Sequence, residues 1–253
     1  MKILLGGALG RMGREVTAAA AEAQVEIVCG VDVAYTGQPS DYPIVTAFDQ
    51  ATQKADVLID FSRPSALPEL LQLVRKEKMP AVLCTTGYNE AELQMIEEAS
   101  REIPVFRSAN MSLGVNVLRH LVQEAARALG EDFDVEIVER HHRMKADSPS
   151  GTALMLYDSV KDATETLRQP VFGRYGRTAQ RQPGEVGIHA VRGGTITGEH
   201  EVCFYGDGEE LILTHRAEKR SLFARGALRA AAFLMDKPAG KYDMQDLIEE
   251  MLR

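Results

Sequence analysis

The chain has 253 residues, 45% of them hydrophobic, with a formal net charge of -8 and a pI near 5.4. That length buries a sizeable core and suits two modest domains or one large one, while the acidic balance and the lack of a long Lys/Arg run exclude a nucleic-acid binder. No segment approaches the roughly 20 apolar residues of a membrane span, the start MKILLGG lacks the apolar stretch of a signal peptide, and Cys29, Cys84 and Cys203 sit scattered in apolar runs. Free thiols of this kind fit a reducing compartment, so the expected location is the cytoplasm.

The first third alternates short apolar runs with helical patterns, the grammar of a parallel sheet flanked by helices. Strands are expected at KILL (2-5), VEIVCGV (25-31), DVLIDF (56-61), AVLC (81-84) and PVFR (104-107). Helices are expected at GRMGREVTAAAAEA, SALPELLQLVRKEK and NEAELQMIEEASRE. The last opens with Asn89 and carries Glu92 three residues on, the spacing of a capping box.

From about residue 113 the pattern changes. NVLRHLVQEAARALG reads as an amphipathic helix stopped by Gly130, DFDVEIVER as a strand, and GTALMLYDSVKDATETLR as a helix ending before Pro170. After a polar loop over 173-184, VGIHAVRGG, TITGEHEVCFY and EELILTHRAE follow as three strands, the last two joined by the turn GDGEE. This grouping predicts a second α+β domain with a mainly antiparallel sheet. The tail, 221-252, reads as helical and able to return to the first domain. The expected division is 1-112, then 113-221, with 222-253 as the returning helical segment.

Gly7, Gly10 and Gly13 follow the first strand at G-x-x-G-x-x-G spacing. Such a turn lets backbone N–H groups at a helix start meet a pyrophosphate without a side chain in the way. Asp32 ends the second strand about 20 residues on, where an acid accepts hydrogen bonds from an adenine ribose. A carboxylate there repels a 2′-phosphate, and Val33, Ala34 and Tyr35 bring no cation. NADH is therefore expected to serve at least as well as NADPH, although Arg11, with Arg14 nearby, can reach a phosphate and keeps dual use open. CTTGY (84-88) and SANMSLGVN (108-116) each follow a strand with small or amide residues. They read as ordinary turns when taken singly and as cofactor neighbours beside the glycine loop.

ERHHRMKADSPSGTAL (139-154) collects two histidines, an arginine and a lysine, then opens a helix at Ser150, Gly151 and Thr152. Free N–H groups, a glycine and two hydroxyls make an anion cradle, and an imidazole or lysine is the acid that protonation near neutral pH requires. Adjacent histidines on an extended backbone point to opposite faces, so one at most addresses a given site. Taken one at a time, a solvated lysine, a structural histidine and a simple helix cap account for each residue; their coincidence in one loop favours chemistry. No Cys or acid cluster completes a metal site around His141 and His142.

GRMGR (10-14), IDFSRP (59-64), TTGY (85-88), the AN-S-GVN pattern (109-116), ERHHR-K-D-PSGTA (139-153) and GEH (198-200), in that order along nearly the whole chain, resemble the dihydrodipicolinate reductase family, also called 4-hydroxy-tetrahydrodipicolinate reductase. The resemblance implies a two-domain reductase, usually a homotetramer, that reduces a cyclic unsaturated dicarboxylate with NADH or NADPH, without metal, on the diaminopimelate route to lysine. It assigns 1-112 to dinucleotide binding and 113-221 to substrate binding and oligomerisation, with hinges near 110-115 and 220. By position it implies His141 as proton donor and Lys145 as the second catalytic cation, with His142, Ser150, Gly151 and Thr152 binding substrate. Cofactor contacts are implied at Gly7, Ala8, Leu9, Gly10, Arg11 and Met12, near Asp32, at Cys84, Thr85 and Thr86, and at Ser108, Ala109, Asn110 and Met111. Met144, Cys84 and Met111 depart from residues common in the family. The alternatives are another two-domain Rossmann dehydrogenase, acting on an amino-acid semialdehyde or a sugar, and a nucleotide-sensing protein without turnover.

Overall fold

The computed structural model describes residues 1–164 and 168–252. In chain order it contains β1 (Lys2–Gly6), α1 (Arg11–Glu22), β2 (Glu26–Val31), β3 (Ile44–Val45), β4 (Val57–Asp60), α2 (Leu67–Glu77), β5 (Ala81–Leu83), α3 (Glu90–Ser100) and β6 (Pro104–Arg107). There follow α4 (Leu113–Leu129), β7 (Asp134–His141), α5 (Gly151–Ala163), β8 (Gln169–Val171), β9 (Glu185–Arg192), β10 (Gly198–Tyr205), β11 (Glu210–Ala217), α6 (Ser221–Leu234), β12 (Gly240–Tyr242) and α7 (Met244–Met251). The chain forms two compact units, Met1–Leu113 with Arg220–Arg253, and Gly114–Lys219.

The first unit is a parallel sheet in the order β12-β6-β5-β4-β1-β2-β3, which contains the 3-2-1-4-5-6 arrangement of a doubly wound dinucleotide fold. Its strands are apolar on both faces because helices cover both. Ile3, Leu5, Val57, Ile59 and Phe106 pack with the alanines of α1 and α6, where small side chains let the helices lie close. Leu4, Leu58, Leu83 and Val105 point the other way, among Leu70, Leu71 and Val74 of α2 and Ile96 of α3. Each such leucine taken from water contributes about 1.5–3 kcal/mol. Asn89 and Glu92 form the reciprocal capping box that their spacing predicts.

The tail departs from an all-helical reading. α6 ends at Leu234, and Gly240–Tyr242 adds to the sheet as β12, parallel to Pro104–Phe106 of β6. A three-residue strand that owes its order to a pre-existing edge carries too little periodicity to be read beforehand.

The second unit is a sheet in the order β11-β10-β7-β9-β8. β10 runs antiparallel to both β11 and β7, over eight and seven paired residues, whereas β7, β9 and β8 run parallel. The sheet is thus mixed, with its antiparallel part centred on β10. Gly208, at φ +84°, turns the β10–β11 hairpin, and Gly130, at φ +60°, stops α4. One face of the sheet packs Val135, Ile137, Val186 and Val202 with Leu118, Val122, Leu156 and Val160 of α4 and α5. α5 stops at Ala163, short of the expected Arg168: β-branched Thr164 is extended at φ -120°, ψ 143°. The expected last turn of that helix, 165–167, lies outside the described residues.

Candidate active site

In the first unit the glycine turn lies between β1 and α1, at the carboxyl edge where the strand order reverses. Gly7 has φ +73°, and a Cβ there would sit 2.6 Å from the Phe61 carbonyl oxygen. A Cβ on Gly13 would sit 2.2 Å from the Gly7 carbonyl oxygen. Glycine at both places is therefore a packing requirement of the chain itself. α1 begins after Gly10 with no side-chain cap and no acidic residue in its first turn, which leaves the positive end of the helix dipole to an anion. The Asp32 carboxylate accepts from the Leu9 and Ala34 amides, each at 2.9 Å. It thus ties the end of β2 to the glycine turn. Gly7, Gly10, Asp32, Thr46 and Arg63 line a cavity of about 210 Å³; Arg63 had no assigned role in the sequence reading. Arg11 and Arg14 are exposed, Met12 and Leu9 half-buried, and Ala8 buried.

Two further loops leave the same edge of that sheet. Cys84 and Thr85 are buried and Thr86 is exposed. Burial pushes the Cys84 thiol up, and the nearby Asp60 carboxylate adds to this, so Cys84 packs rather than reacts. The Thr85 hydroxyl donates to Asp60 at 2.7 Å; Asp60 is itself 1% exposed, and burial raises its carboxyl against the hydrogen bonds of Ser62 and Thr85. In the third loop Ser108 Oγ donates to the Asn110 carbonyl at 2.9 Å and the Asn110 side chain accepts from the Ser112 amide at 2.9 Å. Ala109 is exposed and Met111 buried. These residues, named from scattered stretches of sequence, come together at one end of the first unit's sheet.

The second unit holds a different kind of site. Along β7, Val135, Ile137, Glu139 and His141 share the buried face, so period-2 alternation delivers a carboxylate and an imidazole into the interior. Glu139 is fully buried. Its oxygens meet His141 Nδ1 at 2.6 Å, the Ser150 amide at 3.0 Å and both terminal nitrogens of Arg192 at 2.7 and 2.8 Å. Burial pushes the Glu139 carboxyl up, but Arg192, His141 and the Ser150 amide outweigh it and the net shift is downward. Ser150 caps α5, its Oγ accepting from the Ala153 amide at 3.1 Å and lying 2.9 Å from His200 Nε2. The His141 and His200 rings meet edge to face, 5.1 Å apart. Burial, helped by repulsion from His141, holds His200 down to about 4, so it is neutral at pH 7. His141 is lowered too, chiefly by burial against the opposing pull of Glu139.

Around this buried base sit the exposed parts of the loop. Lys145 Nζ lies 2.8 Å from Asp147, while Arg192 donates to the Asp147 carbonyl at 2.8 Å. His142 is half-buried, its carbonyl accepting from the Lys145 amide at 3.1 Å. Gly151 is exposed, and a Cβ there would meet nothing within 4 Å; packing within the chain does not demand a glycine, whereas an approaching ligand would use the space. Thr152 is half-buried beside it and Met144 is exposed. The loop thus brings His141, His142, Lys145, Ser150, Gly151 and Thr152 to one region of the second unit. Sequence reasoning passed over Glu139, Arg192 and His200 as working residues. A charged residue at the third buried position of the V-x-I-x-E-x-H alternation was the available signal for Glu139.

Among the described residues no group of three or more His, Cys, Asp or Glu is placed to hold a metal ion, and no helix is long and apolar enough to cross a membrane. Residues 1–111 match the family described as Dihydrodipicolinate reductase, N-terminus, and residues 114–248 match Dihydrodipicolinate reductase, C-terminus. The 4-hydroxy-tetrahydrodipicolinate reductase of Caldanaerobacter subterraneus subsp. tengcongensis is 49% identical over 251 residues, 99% of each chain. That of Clostridium tetani is 45% identical over 98% of this chain and 97% of its own. The dipicolinate-bound dihydrodipicolinate reductase from Paenisporosarcina sp. TG-14 superposes with a TM-score of 0.79 at 22% identity, covering 96% of this chain and 97% of that one. A myo-inositol dehydrogenase from Corynebacterium glutamicum reaches 0.61 at 15% identity, covering 100% of this chain and 93% of its own. The fold is shared with sugar dehydrogenases and so does not settle the substrate. Sequence identity across the full length and both matched halves do settle the kinship: the chain belongs to the dihydrodipicolinate reductase family.

Proposed function

We propose that this chain reduces the dihydrodipicolinate formed from 4-hydroxy-tetrahydrodipicolinate to tetrahydrodipicolinate, with NADH or NADPH, in the diaminopimelate route to lysine. The observation that carries the reading is the concentration of His141, His142, Lys145 and the start of helix α5 on one loop of an otherwise acidic chain. A dianionic ring needs more than one anion contact; Lys145, His142 and the helix start at Gly151 and Thr152 supply them, while Ser150 holds that start in place by capping α5. Reduction adds a hydride at C4 and a proton at C3 of the ring; His141, alone or with Lys145, handles the proton.

The first unit fits a nicotinamide dinucleotide: the cradle at Gly7 and Gly13 lacks room for a Cβ, α1 offers uncapped amides, and Asp32 stands at the adjoining cavity. Bound there, the cofactor supplies the hydride. Asp32 favours ribose hydroxyls over a 2′-phosphate, whereas Arg63 on the same cavity offers a cation, so NADH serves at least as well as NADPH without exclusion of either. Ser108–Met111 and Cys84–Thr86 shape the nicotinamide end of the site, Thr85 being held by Asp60. No metal takes part. The second unit also carries the assembly surface of a homotetramer, which sedimentation of the purified chain tests directly. The three free, buried cysteines suit work in the cytoplasm.

The deciding assay follows NADH and NADPH oxidation with the condensation product of pyruvate and aspartate semialdehyde, set against myo-inositol and other semialdehydes. Turnover with the first alone is expected. Lys145→Ala and His141→Ala should each cost about 10²–10⁴ in turnover while dinucleotide binding persists. Unchanged turnover and substrate affinity in both variants would overturn the assignment.

A further inference from the structure

The proposed chemistry uses the outer face of His141; the group behind it has no assigned task. Glu139 is fully buried, and its Oε2 lies 2.6 Å from His141 Nδ1. Arg192 grips both carboxylate oxygens, which keeps Glu139 ionised in the interior and acceptor-only. An ionised carboxylate at that distance requires a proton on Nδ1. His141 Nε2 forms no hydrogen bond among the described residues and faces Gly198, where a Cβ would stand 3.0 Å from it. The absence of a side chain at 198 leaves that nitrogen uncovered.

We infer that Glu139 is a positioning residue for the reduction: with Arg192 behind it, it fixes His141 in the Nδ1–H tautomer and turns the Nε2 lone pair toward the substrate. The inference rests on the proposed reaction and assigns the proton's path within it. In the resting protein Nε2 is unprotonated, in keeping with the downward shift of His141 by burial, which Lys145 and Arg192 reinforce. Neutral His200 packs against the ring from β10 and adds no charge of its own. Arrival of a dianion favours the imidazolium, so Nε2 takes a proton from solvent and later yields it to C3 of the ring. Glu139 stays ionised throughout and stabilises the charged ring from behind, the part an aspartate plays behind a catalytic histidine. Glutamine at 139 would turn its carbonyl to Arg192 and its amide N–H to His141, forcing the opposite tautomer.

The test labels the histidines of the full chain with ¹⁵N and reads the tautomer of His141 by two-bond ¹H–¹⁵N correlation near pH 7.5, with His141→Gln for assignment. In the wild type, Nδ1 should resonate as protonated and Nε2 as pyridine-like; in Glu139→Gln the two should exchange. Turnover should fall at least tenfold in Glu139→Gln with the KM for NADH unchanged, and Glu139→Asp, which restores the charge, should recover part of it. A wild-type His141 carrying its proton on Nε2 overturns the inference whether or not any variant folds. So does a Glu139→Gln enzyme that binds NADH and keeps full turnover, or that loses turnover with the wild-type tautomer. Failure of the wild type to reduce the substrate defeats the proposed function instead, and is read in a separate assay.

Discussion

In the proposed function the glycine turn of the first unit and the Glu139 cluster of the second each prepare a place for an anion, but from opposite materials. Around Gly7 and Gly13 the working atoms are backbone amides, and what matters is the side chains that are missing: a Cβ on Gly13 would lie 2.2 Å from a carbonyl oxygen. Around Glu139 the working atoms are charged side chains, and what matters is that each is held by another. A backbone cradle needs only space and the dipole of α1. A cradle of side chains needs an interior carboxylate, and that carboxylate is tolerable only because Arg192 and the Ser150 amide satisfy it. The first site is set by sterics, the second by charge balance, and the two should fail in different ways.

The largest failure belongs to the second. Arg192→Met leaves a buried carboxylate without its cation and should cost about 3–5 kcal/mol of stability, read by urea denaturation. Adding Glu139→Gln to that variant removes the stranded charge and should return a good part of the loss. If the double variant is no more stable than the single one, charge balance is not what holds this cluster. Only slightly smaller is the response to acid. His200 is neutral in the folded chain, with its titration lowered from 6.5 to about 4. An unfolded chain therefore takes up the proton first as pH falls below 6.5. Stability is fully present above that pH and declines between 6.5 and 4, by up to about 3 kcal/mol from this residue. Glu139, with its carboxyl lowered, adds a further loss below about 4.5 with the same sign. His200→Gln should flatten the upper part of that limb.

The first site should break sterically and without regard to pH. Gly13→Ala meets two backbone carbonyl oxygens, those of Gly7 and Ala8, at 2.2 and 2.5 Å, neither able to rotate away. Overpacking of this kind costs about 1–3 kcal/mol and should weaken NADH binding more than tenfold by displacing the turn. Gly10→Ala is the control, since its Cβ would meet only the Gly7 carbonyl oxygen, at 3.2 Å, and should cost under about 1 kcal/mol. Equal losses in the two variants would mean that the turn accommodates side chains freely.

The same contrast governs what was legible beforehand. A backbone site writes itself locally: the spacing of Gly7, Gly10 and Gly13, the Asn89–Glu92 cap and the Gly130 stop each lie within a few residues and could be read without the fold. The loop 139-154 was legible for the same reason, as one run of sequence. Arg192 and His200 were not, because they reach Glu139 and Ser150 across separations of 53 and 50 residues, through pairings of β9 and β10 with β7 that no local pattern specifies. β12 was hidden by its length, and the parallel β7–β9 pair by its resemblance, strand by strand, to the antiparallel neighbours. Partners of a buried charge are a property of sheet register, and register appears only when the sheet is assembled.

Asp32 stands between the two kinds of site and gives the finest test. It is a side chain, yet two backbone amides occupy it, those of Leu9 and Ala34, so part of its task is to hold the glycine turn in place. An asparagine keeps one acceptor and loses the charge. If the charge discriminates between cofactors, Asp32→Asn should shift the ratio of kcat/KM for NADPH over NADH upward by about fivefold, near 1 kcal/mol, with Arg63 on the same cavity available to the added phosphate. If Asp32 only braces the turn, both cofactors should lose affinity together and the ratio should stay where it was. The ratio therefore separates a role in selecting the ribose from a role in shaping the backbone, a distinction that loss of activity alone would not make.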